Sequence, residues 1–363
     1  MHDFTPIVSH YKISVPSESY KLDTVLTNSR IQAYEPDLYI ENLITTGKFV
    51  FNIGLRTTSY LLLPETKFYF FPEPRITAKF TPNNSWALKV SYASTTQLLH
   101  LLTGIGSNGL PMDLWLPTTI DLPPERARQW AAGIYAQRKD FEISAEFYYK
   151  IMDNLIAFSE GSNLLTSVSS WQKSIESGGK GWSFGSELLI KKVQGKTTGW
   201  MALTYSRSFR MFDNINSGNP YPYKYDRPLD ISVVLIHRLK KGIILSADWV
   251  YGTGYPYTKP AGIMPIIDNT FQTDFRNVML WEPRNSSRMQ DYHRLDIALK
   301  LVKKKPKGTR TWTFSIYNTY NRLNPYFYTI QPDCNYATKT CKWTIQKFTL
   351  FPIIPSISYS WKW

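Results

Sequence analysis

Residues 356–363 read SISYSWKW, a strict alternation of small or basic residues with large apolar ones. Ile357, Tyr359, Trp361 and Trp363 fall on one side of the alternation, and three serines and a lysine fall on the other. A two-residue period places alternate side chains on opposite faces of a β-strand. We therefore expect one face of this strand to meet an apolar environment and the other to meet water.

The same alternation recurs along the chain and predicts an all-β protein. It is clear in KFVFNIGLR (48–56), SWALKVSY (85–92), DFEISAEFYYK (140–150) and HRLDIALKL (293–301). An amphipathic helix would need apolar residues three and four positions apart, and these segments do not show that spacing. No stretch approaches the roughly 18 consecutive apolar residues of a membrane-spanning helix.

The lengths of the connections between the predicted strands alternate as well. Tight turns join strands in pairs, whereas longer stretches rich in Gly, Pro, Asn and aromatic residues separate the pairs at 98–125, 153–180, 210–226 and 255–289. Short turns at one end and long loops at the other are typical of outer-membrane β-barrels. The pattern predicts an antiparallel up-and-down transmembrane β-barrel.

The composition fits a barrel wall that contacts lipid on one face and water on the other. Of 363 residues, 24 are Tyr and 12 are Trp, which suits the aromatic girdles at the membrane interfaces. The net charge of +14 would also be compatible with nucleic-acid binding. However, the basic residues gather in short runs at 138–140, 191–196, 238–242 and 303–310 without a nucleic-acid-binding motif. We expect these runs to be solvated turns at one end of the barrel and expect no nucleic-acid partner.

Residues 284–330 and 350–363 resemble the C-terminal end of TonB-dependent outer-membrane receptors of the Bacteroidetes type. Further similarity in FNIGLR, PEPRITAKF, GKGWSFGSELLIKK and YDRPLDISVVL extends the resemblance over most of residues 29–363. The resemblance implies an active transporter in the outer membrane of a Gram-negative cell, with a barrel of about 22 strands and a plug in its lumen. Its implied partners are outer-membrane lipid, a TonB-type energy-coupling system, an unidentified small nutrient and a surface lipoprotein.

The chain departs from that pattern in length. No plug sequence, partner-contacting box or export signal is evident, so we expect residues 1–363 to be one domain, the C-terminal part of such a barrel. We expect an open arc of about 13 or 14 strands that does not transport by itself, with closure of 14 strands into a smaller pore as the alternative. The predicted strands are 29–44, 47–60, 68–80, 84–97, 126–138, 140–152, 181–193, 196–209, 227–239, 242–254, 291–303, 311–330 and 342–363, with residues 1–13 as a candidate for one more.

Aromatic residues in the long loops are the candidate substrate-binding groups, because exposed rings can stack on a sugar, a peptide or a cofactor. Packing of one loop on another is the alternative explanation for them. The only two cysteines, Cys334 and Cys341, lie close together in the last predicted loop, and we expect a local disulfide there. The aromatic candidates are Trp115, Trp171, Tyr221, Tyr223, Tyr257 and Trp281.

No pattern in the sequence indicates an enzyme, a metal site or a cofactor. The five histidines are scattered, and the GIGSNG stretch at 104–109 precedes prolines rather than the helix that a dinucleotide site requires. The remaining alternative is a secreted all-β glycan-binding protein. A second sheet covering Leu295, Ile297, Trp312, Phe314 and Ile357 would favour that alternative, and an exposed apolar belt would favour the barrel.

Overall fold

The computed structural model describes residues 2–4, 31–63, 66–104, 113–160, 174–267, 275–335 and 340–363. These residues form 24 β-strands and one 3₁₀ turn at Asn216–Gly218. Within them, no helix has the length and apolar character needed to cross a membrane. The strands are β1 (His2–Phe4), β2 (Ile31–Tyr34), β3 (Asp37–Thr46), β4 (Phe49–Leu63), β5 (Lys67–Asn83), β6 (Trp86–Gln97), β7 (Leu99–Thr103), β8 (Asp113–Pro117), β9 (Glu125–Arg138), β10 (Phe141–Phe158), β11 (Ile175–Lys192), β12 (Thr197–Met211), β13 (Tyr221–Pro222), β14 (Leu229–Lys240), β15 (Ile243–Gly252), β16 (Pro256–Tyr257), β17 (Pro260–Ile267), β18 (Phe275–Trp281), β19 (Ser287–Arg288), β20 (Tyr292–Lys305), β21 (Gly308–Tyr317), β22 (Pro325–Asn335), β23 (Thr340–Thr349) and β24 (Ile354–Lys362).

One antiparallel sheet of 16 strands forms the body of the molecule. Its path runs β1-β2-β4-β5-β6-β9-β10-β11-β12-β14-β15-β20-β21-β24, with β3 paired to β4 and β13 paired to β12. Both β2 and β3 pair with β4, so they act as one strand interrupted between Tyr34 and Asp37. The order of the strands along this path follows their order in the sequence, which confirms the predicted up-and-down all-β architecture.

The sheet is open in the part of the chain that the structure describes. There, no ladder joins β24 to β1 or β2, which stand at the two ends of the path. This confirms the predicted open arc, and closure into a 14-stranded pore is wrong for these residues.

The basic turns and the long loops lie at opposite ends of the sheet. The turns follow Arg138, Lys192, Lys240 and Lys305, where each strand pairs with the next through a tight connection. Because every pair along this path is antiparallel, these turns share one end, and the connections after β6, β10, β12, β15 and β21 share the other. The predicted segregation of turns and loops is confirmed. We call the two ends the turn end and the loop end.

The last two predicted strands, 311–330 and 342–363, are too long. Strand β21 ends at Tyr317, a separate hairpin of β22 and β23 follows, and β24 begins only at Ile354. The chain leaves the sheet at Asn318, whose φ of 55° lies in the left-handed region that asparagine tolerates. The Asn318 side chain accepts a hydrogen bond from the Arg322 backbone N–H at 3.0 Å and donates to the Arg322 carbonyl at 2.9 Å, which closes the turn.

The predicted loop 153–180 is also too long, because β10 and β11 continue to Phe158 and from Ile175. At roughly 3.3 Å per residue, the 18 residues of β10 span about 60 Å. That exceeds the apolar band of about 25 Å of an outer-membrane barrel even for a strand tilted by about 45°. The loop end of the sheet therefore projects beyond such a band.

The apolar face of the sheet is exposed. Trp312, Phe314 and Ile357 are 45%, 40% and 68% exposed, and Leu295 and Ile297 are partly exposed. Since no sheet of the described residues covers these side chains, a two-layer sandwich is wrong for this chain, and the belt expected of a barrel wall is present. We call the face that carries Trp312 and Phe314 the apolar face and the opposite one the polar face.

In the described part of the chain, the clusters of buried apolar residues lie near the loop end. One cluster joins Leu155 and Ala157 of β10 to Phe212, Ile215 and Tyr221, which lie in the segment between β12 and β14. Two further clusters centre on Tyr60 and Leu62 of β4, and on Leu102 and Ile156. The loop end thus has a small core like that of a water-soluble domain, and this core fixes the loops that carry the site.

Candidate functional site: a basic cavity at the loop end

A cavity of about 450 Å³ lies among the loops at the loop end. Its walls come from the end of β12, the loops after β12 and β15, and the start of β22. Tyrosine and basic side chains dominate the lining, and among the described residues no aspartate or glutamate lines it. The aromatic and cationic lining residues are Arg210, Tyr221, Tyr223, Lys224, Tyr225, Arg227, Tyr255, Tyr257, Arg284, Tyr292, Tyr326 and Phe327.

Three of the six predicted binding aromatics, Tyr221, Tyr223 and Tyr257, line this one cavity. Trp115 and Trp281 are 60% and 38% exposed but do not line it. Trp171 lies outside the described residues. Tyr221 is also packed into the buried cluster around Phe212, so loop packing and cavity lining are combined in one residue. Ligand binding by these aromatics stays a prediction.

Basic side chains stack on the tyrosines of the cavity. The Arg210 guanidinium lies 3.8 Å from the ring centre of Tyr223, and the Arg227 guanidinium lies 4.5 Å from that of Tyr255. Arg284 lies 5.4 Å from the ring centre of Tyr221. A guanidinium over an aromatic ring gains cation–π attraction and is held in a fixed plane. The arginines are therefore positioned in advance of any ligand.

The four cations of the cavity differ in how their charge is compensated. Lys224 pairs with Asp113 at 2.9 Å, and Arg227 pairs with Asp230 at 3.0 Å. Arg210 and Arg284 instead donate to the backbone carbonyls of Ile156 at 3.2 Å and Phe158 at 2.7 Å. Within the described ranges, neither arginine has a carboxylate at ion-pair distance, so two positive charges stand without a partner of opposite charge.

The surroundings of Arg284 confirm that its charge is poorly compensated. Burial lowers the pKa of the Arg284 guanidinium, and the positive charge of Arg210 lowers it further, although Tyr221 and Glu160 act in the opposite direction. A bound anion would raise this pKa, since it would favour the charged form. The pair Arg210 and Arg284 therefore has the electrostatic character of an anion site.

Burial keeps the phenols of Tyr221, Tyr223 and Tyr225 protonated at neutral pH because it raises the pKa of each. Burial raises the pKa of the Tyr221 and Tyr223 hydroxyls above the ordinary value for tyrosine. For Tyr225, burial and then the hydrogen bond to Asp113 raise the pKa. Each neutral phenol can donate a hydrogen bond while its ring offers a flat apolar surface. Together with the arginines, these groups suit a ligand that is anionic and carries planar groups.

Asp226 and Gly254 hold the loops that form the cavity. The Asp226 side chain is fully buried, forms ion pairs with Arg288 and Arg207, and accepts a hydrogen bond from the Ser208 backbone N–H at 2.6 Å. Arg288 also donates to the Gly254 carbonyl at 3.1 Å. A Cβ on Gly254 would lie 1.8 Å from the Met289 carbonyl oxygen, so only glycine permits this approach of the two segments.

The hairpin of β22 and β23 closes one side of the cavity. Tyr326 and Phe327 contribute to the lining. The Tyr328 hydroxyl accepts a hydrogen bond from the Gln290 backbone N–H at 3.1 Å, and its ring packs edge-on against Tyr257 with ring centres 5.2 Å apart. These contacts hold the base of the hairpin against the loop that follows β15.

The register of the same hairpin places Cys334 directly opposite Cys341. Directly opposed residues of antiparallel strands have Cα atoms about 4.5–5.5 Å apart, which is within the range that a disulfide bridges. Their side chains lie outside the described ones, so the disulfide stays a prediction, and the backbone pairing is compatible with it.

Comparison with known families identifies the fold. The model of the family described as "TonB dependent receptor-like, beta-barrel" matches residues 5–325. The chain belongs to this family of TonB-dependent receptor barrels. Members of this family are receptors for transport rather than enzymes. No curated protein matches the chain.

Solved receptors share the fold of this TonB-dependent receptor barrel. The FrpB iron transporter from Neisseria meningitidis is 15% identical with a TM-score of 0.54, and the match covers 81% of this chain and 42% of that one. The ferripyoverdine receptor of the Pseudomonas aeruginosa outer membrane is 11% identical with a TM-score of 0.56, covering 91% and 38%. The ferric-catecholate import receptor Fiu from E. coli K12 is 11% identical with a TM-score of 0.56, and the match covers 91% of this chain and 45% of that one. This chain spans less than half the length of each receptor.

Sequence reasoning missed the cationic half of the cavity. Arg210 lies near the end of β12 in the sequence SFRM, and Arg284 lies in the loop after β18 in the sequence EPRN. Neither arginine forms part of a charged run. The motif YGTGYPY at 251–257 was a usable signal, because two glycines among tyrosines mark a backbone that approaches another segment closely. That signal concerns Tyr255 and Tyr257, and nothing comparable marks the arginines.

Proposed function

We propose that this chain is the C-terminal barrel part of an outer-membrane receptor that takes up an anionic metal chelate with planar groups. In this proposal the chelate first binds in the basic cavity at the loop end, which faces the cell exterior. The observation that carries the proposal is the pair Arg210 and Arg284, neither of which has a described carboxylate at ion-pair distance, within a wall of tyrosines. The cavity supplies cations and hydrogen-bond donors, and a polyanion supplies their complement.

The solved receptors with the same fold support a chelate rather than another anion. These proteins are named for the transport of iron, the binding of ferripyoverdine and the import of ferric catecholate. Because these identities are low, the similarity supports the fold alone. The anionic charge of the proposed ligand is inferred from the side chains that line the cavity. A charge-assisted hydrogen bond contributes about 1.5–3 kcal/mol, so two arginines are sufficient to select an anion over a neutral molecule of similar shape.

Transport by this barrel requires parts that the proposal places outside residues 1–363. We propose that a plug domain gates the lumen and that a TonB-type system supplies the energy, with a surface lipoprotein as a further partner. The exposed apolar face then lies in outer-membrane lipid. By this reasoning the chain alone binds its ligand but does not transport it.

Binding of a ferric tris-catecholate complex, a polyanion with planar rings, tests the proposal. The full chain is refolded in detergent micelles, and quenching of its tryptophan fluorescence is titrated with the complex. We expect Arg284→Gln and Arg210→Gln each to weaken binding by about tenfold or more, the equivalent of roughly 1.4–3 kcal/mol. A cationic ferric tris-hydroxamate of similar size should bind more weakly to the unmodified chain.

Arg138→Gln at the turn end is the matched control, since it removes the same charge far from the cavity. Its affinity for the catecholate complex should equal that of the unmodified chain. Equal affinity of the cationic and anionic complexes, or no change in either cavity variant, would contradict the proposed ligand class.

A further inference from the structure

Cations stand at the edge of the apolar face, at the turn end. Along β20, Leu299 and Leu301 lie on the apolar face opposite Phe314 and Trp312. The same face continues into Lys303, which pairs directly with Arg310 of β21. Both Lys303 and Arg310 are exposed. On this one face of β20, the side chains therefore change from apolar to cationic toward the turn end.

The two cations are placed against each other. Directly opposed residues on one face of an antiparallel pair have Cβ atoms about 4.5–5.5 Å apart, and like charges at that spacing destabilise the sheet. Lys305 follows on the same face and adds a third positive charge. In the part of the chain that the structure describes, none of these three side chains forms an ion pair with a carboxylate. The repulsion is therefore not relieved by any described acid.

Aromatic rings frame this cationic pair. The Arg310 guanidinium lies 5.1 Å from the ring centre of Trp361, its direct neighbour on β24. Trp312 and Tyr359, one step further up the same face, pack with ring centres 4.8 Å apart. Tryptophan and tyrosine are enriched at the level of the lipid headgroups, where a ring can meet acyl chains while its polar atom meets water. The pair thus sits at the depth where lipid phosphates would lie.

We propose that Lys303 and Arg310 form a binding site for the phosphate of an anionic phospholipid at the turn end of the sheet. A phosphate between the two side chains would accept hydrogen bonds from both and convert their mutual repulsion into attraction. The acyl chains of the same lipid would lie along Leu299, Leu301 and Trp312. The position beside the apolar belt favours a lipid over a soluble anion, because only a lipid contacts both parts of this surface.

Lipid selectivity of the reconstituted full chain tests the site. The chain is inserted into phosphatidylcholine vesicles that carry spin-labelled phosphatidylglycerol or spin-labelled phosphatidylcholine, and the motionally restricted fraction of each label is measured. We expect the unmodified chain to select phosphatidylglycerol. Lys303→Gln and Arg310→Gln should each reduce that selectivity by about fivefold, the equivalent of about 1 kcal/mol per cation near an anionic surface.

Lys300→Gln with Lys304→Gln is the matched control, since both lysines alternate with Lys303 on β20 and lie on the polar face. This double variant loses the same charge as Lys303→Gln with Arg310→Gln and should keep the selectivity. Equal losses in the two double variants would overturn the site in favour of general attraction to charge. Displacement of the spin-labelled phosphatidylglycerol by inorganic phosphate at constant ionic strength would overturn the assignment to lipid. The proposal rests on the apolar face lying in lipid, and spin-label accessibility along β21 tests that premise independently of lipid selectivity.

Discussion

Replacing Phe314 by arginine should destabilise the membrane-inserted chain by about 2–4 kcal/mol. Phe314 lies on the apolar face between Leu299 and Ile357, its cross-strand partners. It stands about six residues above the turn end, which places it near the middle of an apolar band of about 25 Å. Arginine at that depth would have to leave water for hydrocarbon, and the cost on barrel walls is of this size.

Ser315→Arg is the matched control, since it introduces the same side chain one residue along the strand on the polar face. Ser315 pairs with Ala298 and Ser356, so the new guanidinium meets no like charge directly opposite. We expect a change of at most about 1 kcal/mol. The free energy of unfolding of both variants is measured by urea titration in vesicles, followed by tryptophan fluorescence. Equal destabilisation of the two variants would show that the faces do not differ as described.

Replacing Asp226 by asparagine should release the loops around the cavity. The Asp226 carboxylate is fully buried, whereas the side chains of its partners Arg207 and Arg288 are 28% and 30% exposed. Removing one partner of a buried ion pair costs about 3–5 kcal/mol, and the partial exposure of the arginines places this case near the low end. At about 3 kcal/mol, amide hydrogen exchange in residues 212–228 should accelerate by roughly a hundredfold.

Asp230→Asn provides the comparison for Asp226→Asn. Asp230 pairs with Arg227 at 3.0 Å, but its side chain is 43% exposed, and exposed pairs contribute less than about 1 kcal/mol. Hydrogen exchange of the same loop should change by less than about fivefold in this variant. A similar acceleration in both variants, or exchange that also accelerates across β20 and β21, would contradict the local role assigned to Asp226.

The strands were predictable because apolar and polar side chains alternate along them with a two-residue period. Along β4, Phe49, Phe51 and Ile53 mark the apolar face, so both the strand and the orientation of its faces follow from the residue order. The predicted strands 47–60, 68–80 and 84–97 agree with β4, β5 and β6 within a few residues at most ends. In such a wall, local pattern and tertiary environment specify the same structure.

The pattern failed where strands leave the sheet. The hairpin of β22 and β23 is rich in aromatic and β-branched residues, as β21 is, so residue composition does not separate the hairpin from β21. What ends β21 is the left-handed conformation of Asn318 and the hydrogen bonds of its side chain to Arg322. The asparagine-rich stretch YNTYNRLNP at 317–325 contained that signal, but its weight depends on contacts that only the folded loop reveals.

The cavity was only half predictable for a different reason. Tyr221, Tyr223 and Tyr257 stood out as aromatics in loops, and composition alone was enough to select them. Arg210 and Arg284 act together only because the end of β12 and the loop after β18 both reach the carbonyls at the end of β10. That convergence is a property of sheet order and loop packing, and no local sequence pattern encodes it.

Spin-label accessibility along β21 tests most directly that this chain is one wall of a lipid-embedded barrel. Single cysteines replace residues 311–316 in turn in a Cys334→Ser, Cys341→Ser background, and a nitroxide is attached to each in vesicles. We predict alternation with a period of two: labels at 312, 314 and 316 collide mainly with oxygen, which dissolves in lipid, and labels at 311, 313 and 315 collide mainly with a water-soluble nickel chelate. Equal access of the nickel chelate to both sets would contradict the account.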